Sequence, residues 1–125
     1  MNSDTSYIEK LLTGWEDVYK HGQLTLWIML ALKHGPKHMA EIKAFITDAT
    51  GGTLSADDKS MYRALRRYYD TELVSFTATR GNGPDLKIYN LSPIGAQVLE
   101  QFLSRNVRPI FYQPLIKNLI ERNKE

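Results

Sequence analysis

The sequence predicts a mainly helical domain carrying one small β-hairpin, in the winged helix-turn-helix layout, with additional helices at both ends. Three observations predict it. Apolar residues recur at helical spacing from Tyr7 to about Thr71, the period switches to alternation over 73–79 and 86–91, and helical spacing resumes after Ser92-Pro93. A length of 125 residues is that of one domain. A composition of 42% hydrophobic and 24% charged residues is that of a globular chain able to bury a core.

The elements follow in order. Tyr7 to Lys20 places Tyr7, Ile8, Leu11, Leu12, Trp15, Val18 and Tyr19 at helical spacing, with Gly14 as a local weakness and Gly22 as the expected stop. Leu24 to Lys33 is apolar on nearly every side, as expected of a helix buried in a small domain, and His34-Gly35-Pro36 ends it. Lys37 to Thr50 reads as a third helix, with Met39, Ile42, Phe45 and Ile46 on one stripe, stopped by Gly51-Gly52. Ser55-Ala56-Asp57-Asp58 is a helix start, with acids favoured in the first turn by the helix dipole, and a fourth helix runs to about Thr71. Leu73 to Thr79 and Leu86 to Leu91 are the hairpin strands, joined by the turn cluster Arg80-Gly81-Asn82-Gly83-Pro84-Asp85. Ser92-Pro93 then supplies an N-cap and an N1 proline for a helix through Val98, Leu99, Phe102 and Leu103. A last amphipathic piece carries Ile110, Phe111, Leu115, Ile116, Leu119 and Ile120. The expected organisation is residues 1–21 as an N-terminal helix, 22–91 as the winged helix and 92–125 as C-terminal helices, all in one structural unit.

Several classes of function are excluded or disfavoured. The longest strongly apolar stretch, Leu24 to Leu32, is far shorter than the ~20 residues of a membrane span. The first residues carry no basic or apolar signal region, so a cytoplasmic location is expected. The chain has no cysteine, which removes disulfides, thiolate metal sites and a cysteine nucleophile. His34 and His38 stand four apart, but Gly35-Pro36 breaks the helix that would make them a metal pair. Gly81-Asn82-Gly83 lacks the lysine and the strand–loop–helix setting of a phosphate loop, and Asp57 and Asp58 are accounted for by the helix start. No enzyme, no metal and no cofactor are expected.

Charge is distributed unevenly. Residues 1–58 hold five lysines against eight acids, a net −3, and residues 59–125 hold eleven lysines and arginines against six acids, a net +5. An asymmetry of this kind permits a polyanion-facing surface on the second half. The fourth helix is where it concentrates. At about 100° per residue, Lys59, Arg63, Arg66 and Arg67 share an arc of roughly 100°, with Ser60 on its margin. Met61, Ala64, Leu65 and Tyr68 occupy a second arc nearly opposite. A basic helix face alone is usually just a solvated face. Directly before a hairpin whose tip bears Arg80 and whose second strand bears Lys87, it is the expected recognition helix for double-stranded DNA, since cations neutralise phosphates and arginine also reads guanine.

Three stretches are similar to the PadR-type transcriptional regulators, the phenolic-acid-response repressor family. They are Lys20-His-Gly-Gln-Leu-Thr-Leu-Trp-Ile-Met-Leu-Ala-Leu-Lys-His-Gly-Pro36, then Ser60-Met-Tyr-Arg-Ala-Leu-Arg-Arg67, then Gly83-Pro84 with Tyr89-Asn-Leu-Ser-Pro-Ile-Gly95, together spanning about residues 20–99. The resemblance implies a homodimeric winged-helix repressor whose C-terminal helix, often with the N-terminal one, builds the dimer. It also implies DNA contacts from Ser60, Tyr62 and Arg66. Departures from the family pattern are His38-Met39-Ala40, where a phosphate-contacting tyrosine is usual, Arg63 in place of a proline, and Glu72 in place of a glycine, which predicts a looser turn into the wing.

On this reading Lys59, Ser60, Tyr62, Arg63 and Arg66 dock in the groove, Arg80, Asn82 and Lys87 lie on the wing, and Lys37 holds a phosphate. Tyr7, Leu11, Trp15, Leu99, Phe102, Leu103, Phe111, Leu115 and Leu119 form the dimer interface. The aromatics Tyr7, Trp15, Trp27, Phe102, Phe111 and Tyr112 fill core and interface, or wall a pore for a planar aromatic effector of the kind some relatives hold, with Trp15 the best candidate. The rival reading is a winged helix used as a protein-interaction or small-molecule-sensing module without specific DNA binding. Salt dependence of DNA affinity discriminates the two.

Overall fold

The long first helix, α1 (Ser3–His34), organises everything that follows. The computed structural model describes residues 3–79, 83 and 86–121. After α1 come α2 (Met39–Ala49), α3 (Asp58–Asp70), the strands β1 (Val74–Thr79) and β2 (Leu86–Leu91), α4 (Pro93–Asn106), and two short helices, α5 (Arg108–Phe111) and α6 (Pro114–Ile120). The stop expected at Gly22 is absent, so the two helices expected before His34 are one, and the expected boundary between residues 21 and 22 falls inside it. A glycine held in helical geometry costs only ~1 kcal/mol, and no proline follows until Pro36. The last amphipathic piece is in turn two helices, because Pro109 and Pro114 each sit in a first turn.

The core is built where three helices and the hairpin meet. Ile28, Ala31 and Leu32 of α1, Ile42 and Ile46 of α2, Met61, Ala64, Leu65 and Tyr68 of α3, and Val74 and Tyr89 of the strands form one buried cluster. A second cluster sets Met29 of α1 against Leu99 and Leu103 of α4, and Leu73 and Leu91 touch both clusters. The strands pair antiparallel from Val74↔Leu91 to Thr79↔Leu86. Lys37 is not helical as expected. Its backbone adds a bridge to Tyr89, with N–H···O distances of 3.1 and 2.8 Å, and α2 begins two residues later behind His38. That histidine forms a capping box with Glu41, which places the helix start where two orphan N–H groups are satisfied. Among the described residues, no helix is long and apolar enough to cross a membrane.

Two helix ends close in the same way. At the end of α2, Gly51 N–H donates to Asp48 and Gly52 N–H to Thr47, with Gly51 at φ 62°. At the end of α3, Glu72 N–H donates to Tyr69 and Leu73 N–H to Tyr68, with Glu72 at φ 67°. Both are Schellman closures, which need a left-handed residue after the cap. The looser turn expected at Glu72 therefore does not occur: the chain accepts a left-handed glutamate and keeps both hydrogen bonds. Ser92 then caps α4 and donates its hydroxyl to the carbonyls of Glu72 and Leu73. Gly95 lies so close to this junction that a Cβ on it would stand 2.0 Å from the Leu73 carbonyl oxygen.

Opposite stability changes follow at these two positions, read from urea unfolding midpoints. Glu72→Gly removes the left-handed penalty and raises stability by about 1 kcal/mol after glycine's own entropy is counted. Gly95→Ala drives a methyl into a backbone oxygen and lowers stability by about 3 kcal/mol. An unchanged midpoint in Glu72→Gly would show that the turn carries no strain.

Candidate nucleic-acid interface

Helix α3 carries the candidate site, and its position is set by polar contacts in the turn before it. Thr50 Oγ1 donates to the Ile46 carbonyl at 2.7 Å and accepts from the Leu54 N–H at 3.2 Å, while the Leu54 side chain is buried. Lys43 of α2 pairs with Asp58 at the start of α3 at 2.5 Å. Asp57 is the N-cap, accepting from the Ser60 N–H at 2.7 Å. That hydrogen bond, with the nearby charges of Arg63 and Lys43 adding to it, holds the Asp57 carboxyl below the usual carboxylate range.

Two faces result. Met61, Ala64, Leu65 and Tyr68 are buried, and Lys59, Arg63, Arg66 and Arg67 are exposed with Ser60 half-exposed at the margin, as the angular reading placed them; Tyr62 is exposed as well, outside that arc. The Tyr68 hydroxyl would be an orphan inside the domain; it hydrogen-bonds Thr25 Oγ1 of α1 at 2.6 Å. Arg66 is held loosely, 3.5 Å from Asp70 in an exposed pair, so solvent or another anion competes for it easily.

The wing stands beside this helix. Phe76 and Tyr89 pair across the strands and turn toward α3, with ring centroids 5.7 Å apart, and Tyr69 packs on Phe76 at 4.9 Å. Burial, with Tyr62 nearby, pushes the Tyr89 hydroxyl above its ordinary range, so Tyr89 stays neutral and acts as core. Lys87 is exposed on the second strand with its ammonium 4.8 Å from the Phe76 ring centre. Between α3 and the wing lies an open groove of about 310 Å³ lined by Tyr62, Arg66, Tyr69, Phe76 and Lys87 among others. Tyr69 is a polar, half-exposed lining residue that sequence reasoning missed. Its signal was its place seven residues after Tyr62, two helical turns along the same face.

Other expected site residues fare differently. Arg80 and Asn82 lie outside the described residues. Lys37 is engaged within the protomer: its ammonium donates to the Ala31 and Gly35 carbonyls at 2.7 and 3.2 Å, lies 3.0 Å from His34 Nδ1 and sits over the Phe45 ring, at the C-terminal end of α1. Leu99 and Leu103 are not on a surface available to a partner, since both are buried against Met29 within the protomer. Helical spacing had marked them as apolar without saying which neighbour they meet. Tyr7, Leu11, Trp15, Phe102, Phe111, Leu115 and Leu119 are all exposed, Trp15 by 74%. Trp27 is partly buried against the main core. Arg108 forms two hydrogen bonds to Glu100, which lower the Glu100 carboxyl and raise the guanidinium, and this pair fixes α5 against α4.

The sequence pattern of the transcriptional regulator PadR-like family matches residues 28–101. No curated protein matches the chain. Among solved structures, a PadR-like transcription factor from Bacteroides fragilis is 25% identical with a TM-score of 0.62, over 74% of this chain and 86% of that one. PadR of Bacillus subtilis, solved in complex with operator DNA, is 24% identical with a TM-score of 0.60, over 82% of this chain and 52% of that one. A PadR family transcriptional regulator from Eggerthella lenta has a TM-score of 0.71 at 17% identity, over 94% of this chain and 99% of that one, and so resembles it in fold.

The Asp57 cap has a pH signature. Its folded carboxyl titrates below the unfolded one, so its contribution is complete above the unfolded range and disappears as pH falls through the folded value. The melting-temperature gap between the natural protein and Asp57→Ala should be constant from neutral pH down to about pH 5 and close as pH drops below about 4. A gap that persists undiminished at pH 2 would assign the stabilisation to something other than the charged cap.

Proposed function

The chain belongs to the PadR-like family of transcriptional regulators, whose pattern covers more than half its length, and we propose that it is a homodimeric repressor acting on operator DNA in the cytoplasm. The observation that carries this reading is the exposed basic face of α3 standing directly against the wing, with buried residues on its opposite side. Seated in the major groove, α3 presents Lys59, Ser60, Tyr62, Arg63 and Arg66 to base edges and phosphates, while Lys87 on the second strand reaches the flanking backbone. The complex of Bacillus subtilis PadR with operator DNA supports this docking by analogy of fold.

The same proposal assigns residues 1–21 to a dimer arm and 92–125 to dimerisation. Tyr7, Leu11 and Trp15 of α1 and Phe102, Phe111, Leu115 and Leu119 of the C-terminal helices are large apolar side chains left in solvent by the protomer. A second copy is the partner that covers them symmetrically, and a two-fold dimer sets its two recognition helices ~34–36 Å apart on the DNA.

Titration of the protein against its own upstream DNA and a scrambled duplex, at two salt concentrations, tests the proposal. Tight, salt-sensitive binding that prefers the native duplex is expected; weak binding equal for both, with little salt dependence, would overturn it in favour of a protein-interaction role. Arg63→Ala or Arg66→Ala should cost about 1–3 kcal/mol on the operator, and Lys87→Ala should weaken all duplexes equally and reduce the salt slope by about 1. For the dimer, Trp15→Asp combined with Leu119→Asp should shift sedimentation from dimer to monomer without unfolding. A dimer that survives the pair places the interface elsewhere.

A further inference from the structure

An α-helix with its side chains is about 10–12 Å across and the major groove is about 12 Å wide, so a helix seated there has a sugar–phosphate backbone along each flank. On one flank of α3 stands the wing. With Met61 at zero and about 100° per residue, Tyr69 and Tyr62 lie near 80° and 100° and face that groove, whereas Arg67 and Ser60 lie near 240° and 260° on the other side. There the hairpin is absent, and the neighbouring element is the middle of α1. Between α1 and α3 runs an open groove of about 450 Å³ whose lining includes Lys20 and His21 of α1, Ser60, Arg63 and Arg67 of α3, and two acids, Asp17 and Asp57.

The charges in this groove are arranged for an external anion. Among the described residues no carboxylate lies within ion-pair distance of Lys20, Arg63 or Arg67, in contrast to Arg66, Lys43 and Arg108, each of which has one. Asp57 accepts from the Ser60 N–H, and its charge also acts on Arg63, which leaves Lys20 and Arg67 as the cations least compensated. The Arg67 guanidinium lies 5.4 Å from the Tyr68 ring centre, which orients it, and the Tyr68 hydroxyl bonds Thr25 of α1, so both walls of the groove are tied together by a buried contact. We infer that this groove is a second phosphodiester seat, in which Lys20 and His21 of α1 and Arg67 of α3 hold the backbone of the DNA strand on the side of α3 away from the wing. The inference rests on the docking of α3 proposed above and extends it to a helix outside the helix-turn-helix. It makes the contact one of position and not of sequence, because phosphates carry no base identity.

Affinity and salt slope measured on operator and scrambled duplexes test the seat. Lys20→Ala and Arg67→Ala should each weaken both duplexes by the same factor and flatten the log–log salt slope by about 0.9, and Asp17→Asn should tighten both. Lys33→Ala, exposed in the last turn of α1 and outside both grooves, should change neither. Circular dichroism and sedimentation of every variant should match the natural protein. If Lys20→Ala and Arg67→Ala leave affinity and slope untouched while Arg66→Ala loses operator binding, the seat is overturned and the docking stands. If Arg66→Ala is silent as well, the docking itself fails and the seat with it.

Discussion

Ser92 ties the end of α3 to the start of α4: its N–H donates to the Leu73 carbonyl at 3.1 Å, and its one hydroxyl proton is shared between the carbonyls of Glu72, at 2.5 Å, and Leu73, at 3.1 Å. Leu73 directly follows the left-handed residue that closes α3, and Gly95 in the first turn of α4 presses on the same oxygen. Three directions are thereby set at one point: the exit of α3, the departure of the hairpin and the entry of α4. The side chains of Leu73 and Leu91 bind the two core clusters together at the same place. Were this junction to open, α3 would keep its own hydrogen bonds but lose its fixed relation to the wing. A site that grips nucleic acid across two elements depends on that relation being rigid.

Polar groups divide by what they serve. Those that fix geometry are paired inside the protomer: Thr25 with Tyr68, Thr50 with Leu54, Lys37 with the last carbonyls of α1, Lys43 with Asp58. Among the described residues no buried side-chain polar atom lacks a hydrogen-bond partner. The cations left over concentrate on and around α3, where no core residue needs them. Their exposure makes them worth little to stability, so their placement has no explanation in folding.

Much of this was legible in the sequence because it rests on periodicity. The opposed arcs of α3 follow from a period of 3.6, and burial of Met61, Ala64, Leu65 and Tyr68 honours them. The hairpin and the Ser92-Pro93 start were legible because turn and cap chemistry is local. Illegible features were those decided by distant partners. Gly22 ends a helix only where the chain needs a left-handed residue, and inside α1 nothing asks for one. Lys37 looked like a helical residue because its backbone partner, Tyr89, lies fifty-two positions away. Leu99 and Leu103 looked like interface because helical spacing identifies an apolar stripe without naming the surface it meets, and Met29 of the same chain claims them. Glu72 shows the reverse case: a residue with the wrong local preference is held in place because both closing hydrogen bonds and the Ser92 contact depend on that conformation.

The continuity of α1 has a mechanical consequence. A helix rises about 1.5 Å per residue, so residues 3–21 extend about 28 Å along one stiff axis. The direction of that axis is set where Ile28, Ala31 and Leu32 lie in the core, and Thr25 ties it to Tyr68 on the buried side of α3. No hinge stands between the exposed aromatic stretch around Trp15 and the residues packed on α3, since Gly14 and Gly22 both remain helical. The exposed aromatic stretch around Trp15 and the α1 wall of the groove flanking α3 therefore lie on one unbroken helix.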